Sequence, residues 1–558
     1  MKIALLSNKI DDLATIVEEG ARANKGNIKR FSEPAEGTLR RALAKRHHLI
    51  FGRRGSGKSS LLYKAASDLS NNDHPVAIVD LEPFKGHQYP DIIISTLIAS
   101  FKKYSAWINQ QIKKDSGYRV WYKPWSKDYN SKTKRLIKLK KSIDSEVEQL
   151  IEQLYLSDDA TLKKKLLDQL KKESEYSVSG GGSYGGLSAE AAISQLSGNS
   201  KETEIQEEFK RSKKDYLLRK ILDYQKIFTE LYETGLKHSY IFLDDLYHIH
   251  RGDQASLIDY FHKISKGNEL WIKIATIRNR TTWYLDSPQP IGVKIGDDAD
   301  EINLDLTLER FSTARSFLVS ILNNYIEESS SPKLNEIITD GGIDRLVLSS
   351  GGVTRDFLGL FWRSIDEAKE RIKRSDGEHH RGNKIGAEDA NLAAGNYGEI
   401  KKEEFQKDTP EEREVLENSF NEIREFCLDK IKKNIFLIDQ EDTSKQIELI
   451  KQLIDLRLLH QIKSRVTVSA RPGKIFKAYL LDVSQYTGER ARRDVEMVEF
   501  WKDQDKEKLR LASLIFDPSS EVSEEMKNKS VKNEAKKSEN KNPTEDQGEF
   551  KFEEDKLN

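Results

Sequence analysis

The sequence predicts an α/β protein built on a five-stranded parallel sheet, and three observations carry that prediction. Between about residues 48 and 310, short apolar runs alternate with helical stretches, the mark of a parallel sheet covered by helices. A glycine-rich segment joins the run His48–Phe51 to the helical stretch after Ser59. A second apolar run, Tyr240–Leu243, ends in two acids, Asp244 and Asp245.

The glycine-rich segment is Gly52-Arg53-Arg54-Gly55-Ser56-Gly57-Lys58-Ser59, followed by Ser60 and a helical run. The pattern G-x-x-x-x-G-K-S between a strand and a helix is a phosphate-binding loop. Glycines let the backbone curl so that several N–H groups point inward, and the helix N-terminus adds partial positive charge. Lys58 can reach the β- and γ-phosphates, and the Ser59 hydroxyl can ligate Mg²⁺. Gly52 to Ser60 are therefore the candidate nucleotide contacts.

The acid-ended run completes the pattern. A carboxylate at the C-terminal end of a strand in an open α/β sheet lies beside the phosphate loop. Asp244 would hold Mg²⁺, directly or through water, and Asp245 would polarise the attacking water. Asp245 is one methylene shorter than the glutamate many hydrolysing proteins carry there, so slow turnover is expected. Further strands are read at Val76–Asp80, Trp271–Thr276 and Glu301–Leu306, and Thr307 stands where a helix N-cap belongs.

Between the strands, Leu136, Leu139, Ile143, Val147, Leu150 and Leu154 recur at helical spacing on a charged stretch. A glycine/serine-rich segment from Ser177 follows, then a second helical stretch over about 201–236. This predicts a helical hairpin inserted at about 132–236, either a solvated spacer or a partner-binding arm.

At 558 residues the chain exceeds one compact core, which rarely grows beyond ~250–300 residues. The expected divisions are 1–47, an N-terminal segment with a helical pattern at Leu39; 48–310, the core; 311–400, helical; 401–517, helices and then a β-rich piece; and 518–558, a charged, disordered tail. Lys and Arg total 92, as do Asp and Glu, so net charge points neither toward nor away from nucleic acid. One cysteine excludes an internal disulfide framework and fits a reducing cytoplasm. The N-terminus meets acids early and makes a poor signal peptide, and no run of ~18 apolar residues is long enough to span a membrane.

The segments GRRGSGKSSLL, YIFLDDL and KIATIR, with Ser349-Ser-Gly-Gly-Val-Thr-Arg355, resemble the AAA+ superfamily, especially the branch of origin-recognition initiators and STAND-type signalling ATPases. The resemblance covers about residues 28–375. It implies ATP with Mg²⁺, a strand between those bearing the loop and the acids, and a helical lid over 311–400. It implies Thr276 as the sensor at the end of its strand and Arg355 as a lid arginine that contacts the γ-phosphate. Arg278 and Arg280 become candidates for an arginine finger acting in trans in a homo-oligomer, with Arg251 a weaker one. The chain lacks the Gly-Leu-Pro motif of plant and animal STAND proteins, which favours the initiator-like side.

The stretch 446–459, then Val466-Thr-Val-Ser, a turn at Arg471-Pro-Gly and Lys474–Leu481 form a winged-helix-like signature. Lys463, Arg465, Arg471, Lys474 and Lys477 could lie on DNA phosphates, although signalling ATPases also use winged helices for packing alone. The resemblance extends to stand-alone bacterial ATPases of anti-phage systems that work with a separate effector protein. The first reading is therefore a slowly hydrolysing ATP switch. The alternatives are a DNA-binding initiator or loader, and a scaffold that holds ATP without turnover. Phe550 and Phe552 among acids could form a short partner-binding peptide.

Overall fold

A computed structural model of the chain describes residues 3–21, 25–118, 127–156, 198–235, 237–374, 382–408, 413–441, 445–488 and 494–517. The glycine/serine-rich segment, the tail from 518, and Phe550 and Phe552 lie outside the described residues.

In chain order the core strands are β1 (His48–Phe51), β2 (Val76–Asp80), β3 (Ser239–Asp244) and β4 (Leu270–Thr276). A two-stranded ribbon, β5 (Tyr284–Leu285) with β6 (Ile291–Gly292), precedes β7 (Asp300–Asn303). The main sheet is parallel and five-stranded, in the order β2-β3-β4-β1-β7. Thus β4 lies between the strand that leads into the loop and the strand that ends in the acids. Every residue of β1 and β3 is buried, as both-face coverage demands, whereas the edge strand β2 alternates. The fifth strand ends at Asn303, short of the expected Leu306, because Asp305 turns out of the sheet to bond Arg53. Thr307 stands at the N-cap position of the turn Leu308–Arg310, but its side chain makes no capping bond.

Helices α2 (Thr38–Leu43) and α3 (Lys58–Asn71) cover one face of the sheet through Ala42, Leu61, Leu62, Ala65 and Leu69. The other face carries α4 (Asp91–Tyr118), α5 (Lys127–Leu154), α6 (Gly198–Gly235) and α7 (Arg251–Ser265). The apolar stripe of the inserted hairpin is spent internally. Leu136, Leu139, Ile143, Val147 and Leu150 of α5 share one core with α4 and with Leu217, Tyr224 and Phe228 of α6. Polar ties fix the arm further: Ser105 donates to Asp144 at 2.5 Å, and Lys220 pairs with Glu146 at 2.8 Å.

Beyond the sheet come α8 (Phe311–Ser329), the short α9 (Leu334–Ile337), α10 (Asp340–Ser350), α11 (Thr354–Arg374) and α12 (Ala387–Asp408). The N-terminal helix α1 (Asn8–Gly20) packs on α8 and α11, burying Ile10, Leu13 and Val17, with Leu5 of the preceding turn, in their core rather than against the sheet. Ser7 caps α1, Lys369 pairs with Asp11, and Arg30 pairs with Glu328 at 2.6 Å.

The C-terminal module consists of α13 (Arg413–Glu425), β8 (Ile435–Asp439), α14 (Lys445–Asp455), β9 (Leu459–Thr467) and β10 (Ile475–Leu481). Its antiparallel sheet has the order β8-β10-β9, with the Arg471-Pro-Gly turn at the hairpin tip. The boundary expected near residue 400 falls inside α12, which runs unbroken past Lys401. Buried ionic bonds fasten this module to the lid helices, Arg457 to Asp356 and Glu404 and Asp482 to Lys401 at 2.6 Å, while His460 bonds to Asp482 at 2.8 Å within the module.

Candidate nucleotide site

The loop between β1 and α3 curls through two left-handed glycines, Gly55 (φ 84°) and Gly57 (φ 96°), a conformation L-residues resist. Gly55 is required twice over, since a Cβ there would meet the Arg355 Cβ at 2.6 Å. Lys58 opens α3, and its ammonium donates to the Gly52 and Arg53 carbonyls at 2.9 and 3.2 Å. Burial pulls the Lys58 ammonium down, while Asp245 and Asp244 hold it up.

A cavity of about 640 Å³ opens on this loop, within the usual range for ligand pockets. Arg54 to Ser60, Asp244, Asp245 and Arg355 all border it. Ser59 bonds to Asp244. Burial and the adjacent Asp245 push the Asp244 carboxyl up to about 7, a balance that a divalent cation would reverse. Asp245 stands in the left-handed region at φ 55° and begins the turn Leu246–His248. The lid closes directly on the loop: the Arg355 N–H donates to the Gly55 carbonyl at 3.2 Å.

Among the described residues, Ser56 Oγ and Arg355 Nε are buried at this end without a protein partner. Polar atoms orphaned beside a lysine and a helix N-terminus suit phosphate oxygens. Among the described residues no group of three or more His, Cys, Asp or Glu is placed to hold a metal ion. Ser59 and Asp244 fit Mg²⁺ completed by phosphate oxygens, its usual manner of binding.

The lining away from the loop is mixed. It holds Ala21, Phe31 and Pro34 of the N-terminal segment and Ile321, Leu358 and Trp362 of α8 and α11, together with the charged Glu18, Arg30 and Arg363. Its aromatic rings suit a flat group such as a nucleobase. The Arg363 guanidinium lies 4.1 Å from the Trp362 ring centre.

Several expected residues sit elsewhere. Gly52 and Arg53 do not border the cavity. Arg53 is drawn behind the loop, its guanidinium donating to Asp305 at 3.2 Å and to the Leu306 and Gly351 carbonyls at 2.9 Å. Thr276 is fully buried; its hydroxyl shares a hydrogen bond with Thr281 instead of facing a phosphate, and its carbonyl accepts from Gly52 N–H at 3.2 Å. Arg278, a candidate finger for a neighbouring subunit, pairs with Glu301 at 2.7 Å and lies 4.0 Å from the Phe51 ring centre. Arg280 lies over Tyr247 at 5.8 Å, and Arg251 donates to the Asn279 carbonyl at 3.2 Å.

Other bordering residues escaped the sequence reading: Tyr63, Asp80, Glu82, Tyr247 and His248. Asp80 had a readable signal, since it ends β2 in register with Asp244.

These features define an α/β phosphate-loop fold of the nucleotide-binding class. No protein-family model matches the chain, and no curated protein sequence does. Among solved structures it is similar to a Walker-type ATPase of Pyrococcus abyssi, at 12% identity over 81% of this chain and 94% of that one, TM-score 0.34. It is similar also to the Aeropyrum pernix Orc1 protein in complex with DNA, at 12% identity over 82% and 91%, TM-score 0.32. The third is Cdc6p from Pyrobaculum aerophilum, at 9% identity over 77% and 84%, TM-score 0.27. At such scores the likeness is loose, and the functional reading rests on the site's own geometry. No described helix is long and apolar enough to cross a membrane.

Proposed function

We propose that the protein binds ATP in this cavity and hydrolyses it slowly, as a switch between arrangements of core and lid. The observation that carries the reading is the convergence of Lys58, Asp244 and Arg355 on one cavity, with Arg355 N–H bonded to the loop itself. A ligand there touches core and lid together, so its γ-phosphate can set their relation. Lys58 and Arg355 would balance charge on the terminal phosphate, and the inward backbone N–H groups would hold the β-phosphate. Mg²⁺, held by Ser59 and Asp244, would neutralise phosphate charge. Asp245 would orient and deprotonate the attacking water; its short side chain on a left-handed backbone is consistent with slow turnover. Multiple-turnover hydrolysis with a Lys58→Ala control tests the reading, which predicts slow, Lys58-dependent phosphate release. Motor-like rates would remove the switch, and no turnover despite tight binding would leave a scaffold.

The switch would act on a separate effector, in anti-phage defence as the resemblance suggests, and on assembly through a homo-oligomer. Arg278 and Arg280 stay the candidates for a finger in trans, and each is engaged within its own chain, Arg278 with Glu301 and Arg280 with Tyr247.

A DNA-binding reading draws on the exposed tip at Arg471 and on Arg465. Against major-groove entry, α14 packs on the turn Arg278–Arg280, and Lys474 pairs with Asp439 at 2.6 Å. Duplex affinity that falls steeply with salt would favour this reading; absence of binding would remove it.

A further inference from the structure

Asp455 ends α14 in the C-terminal module, yet its carboxylate lies inside the nucleotide-binding half of the molecule. The residue is 7% exposed. It accepts the backbone N–H of Asn279 at 3.2 Å and a second bond from the Asn279 side chain. Asp305 and Arg53 also face it, but the Arg53 guanidinium is bonded to Asp305. A carboxylate buried without a cation in contact is costly. Burial, with Asp305 adding to it, pushes Asp455 up to about 7. Strongly displaced carboxyls of this kind gather at functional sites more than in plain packing contacts.

The turn that Asp455 grips does not border the cavity but touches Tyr247, which does. It follows β4, whose last carbonyl receives the Gly52 N–H. Arg278 lies against Phe51, the last residue of β1. Arg280 lies over the Tyr247 ring, and the Lys58 ammonium lies 5.7 Å from the same ring centre. A continuous chain of contacts therefore runs from Asp455 through Asn279, Arg280 and Tyr247 to the loop lysine.

We propose that Asp455 is a positioning residue for ATP turnover, a carboxylate supplied by the C-terminal module that holds the Arg278–Arg280 turn, and with it Tyr247 and Lys58, in working register. This rests on the reading of the cavity as an ATPase site. Asp455 does not border the cavity, and Lys58 keeps its bonds to the Gly52 and Arg53 carbonyls without it, so its removal shifts the register of the site and acts on rate more than on affinity. Small displacements of catalytic groups are costly in rate, so Asp455→Ala lowers kcat about tenfold or more while KM for Mg-ATP stays within about twofold. Asp455→Asn keeps an acceptor oxygen for the Asn279 N–H and recovers most of the lost rate. Asn279→Ala keeps the backbone donor, loses the side-chain bond and falls between. Glu448→Ala, on the exposed side of the same helix, behaves as the wild type.

The experiment is steady-state hydrolysis by the full chain and these four variants, with melting temperatures alongside. An Asp455→Ala chain with wild-type kcat, or one whose KM rises in step with its fall in kcat, overturns the inference. A wild-type chain that neither binds nor hydrolyses ATP overturns the ATPase reading and this inference with it.

Discussion

The two ends of the cavity are built in different ways. At the phosphate end, the loop residues Arg54 to Ser60 and the pair Asp244–Asp245 supply charge and inward N–H groups from two short stretches of chain. Away from the loop, Ala21, Phe31 and Pro34 line the same cavity as Ile321, Leu358 and Trp362, drawn from segments roughly three hundred residues apart. One end depends on local backbone geometry, the other on tertiary packing of the N-terminal helix against the lid. Ligand strength should therefore be concentrated at the first end and base selectivity at the second.

The largest expected effect tests the phosphate end. Lys58→Ala removes a buried charge-assisted contact and should weaken Mg-ATP binding about a hundredfold or more, measured by titration calorimetry. Binding within a few-fold of wild type would break the comparison. Next, Asp245→Asn should slow hydrolysis by about a hundredfold with affinity little changed, read in single-turnover assays. At the far end, Trp362→Ala should cost about tenfold in affinity, the usual scale for one aromatic contact with a base, and should narrow any preference for ATP over GTP. An equal loss for inorganic triphosphate would show that this end binds no base.

The smallest effect concerns the tie behind the phosphate end. Asp455 has its folded value raised from 3.8 to about 7 by burial, so the folded chain keeps that proton where the unfolded chain has lost it. The group's contribution to stability is full below pH 3.8 and is lost as pH rises to about 7. Asp455→Asn removes this loss. Its melting temperature should therefore gain on the wild type between about pH 4 and pH 7 and hold that gain at pH 8. A pH-independent difference would contradict the burial argument.

The phosphate end was legible because its information is local. The spacing Gly52 to Ser59 and the acid-ended strand each specify backbone geometry within a few residues. Arg355 could be placed only through the resemblance. The bond between the Thr276 and Thr281 hydroxyls is a choice of partner that no spacing reveals. The position of the Arg53 side chain behind the loop was hidden too, because its partner Asp305 lies some 250 residues away. The docking of Ile10, Leu13 and Val17 of α1 on the lid helices was not legible, because helical spacing does not name the partner of an apolar face. The strand β8 was missed because a four-residue apolar run such as Ile435–Ile438 reads equally as buried helix.

The central claim is that one nucleotide bridges the loop and the lid through its terminal phosphate. Affinities for ATP and ADP with Mg²⁺, measured on the wild type and on Arg355→Ala, test it most directly. The account predicts that the wild type prefers ATP and that Arg355→Ala loses this preference while keeping its ADP affinity. Equal affinities in the wild type, or a preference that survives in Arg355→Ala, would contradict it.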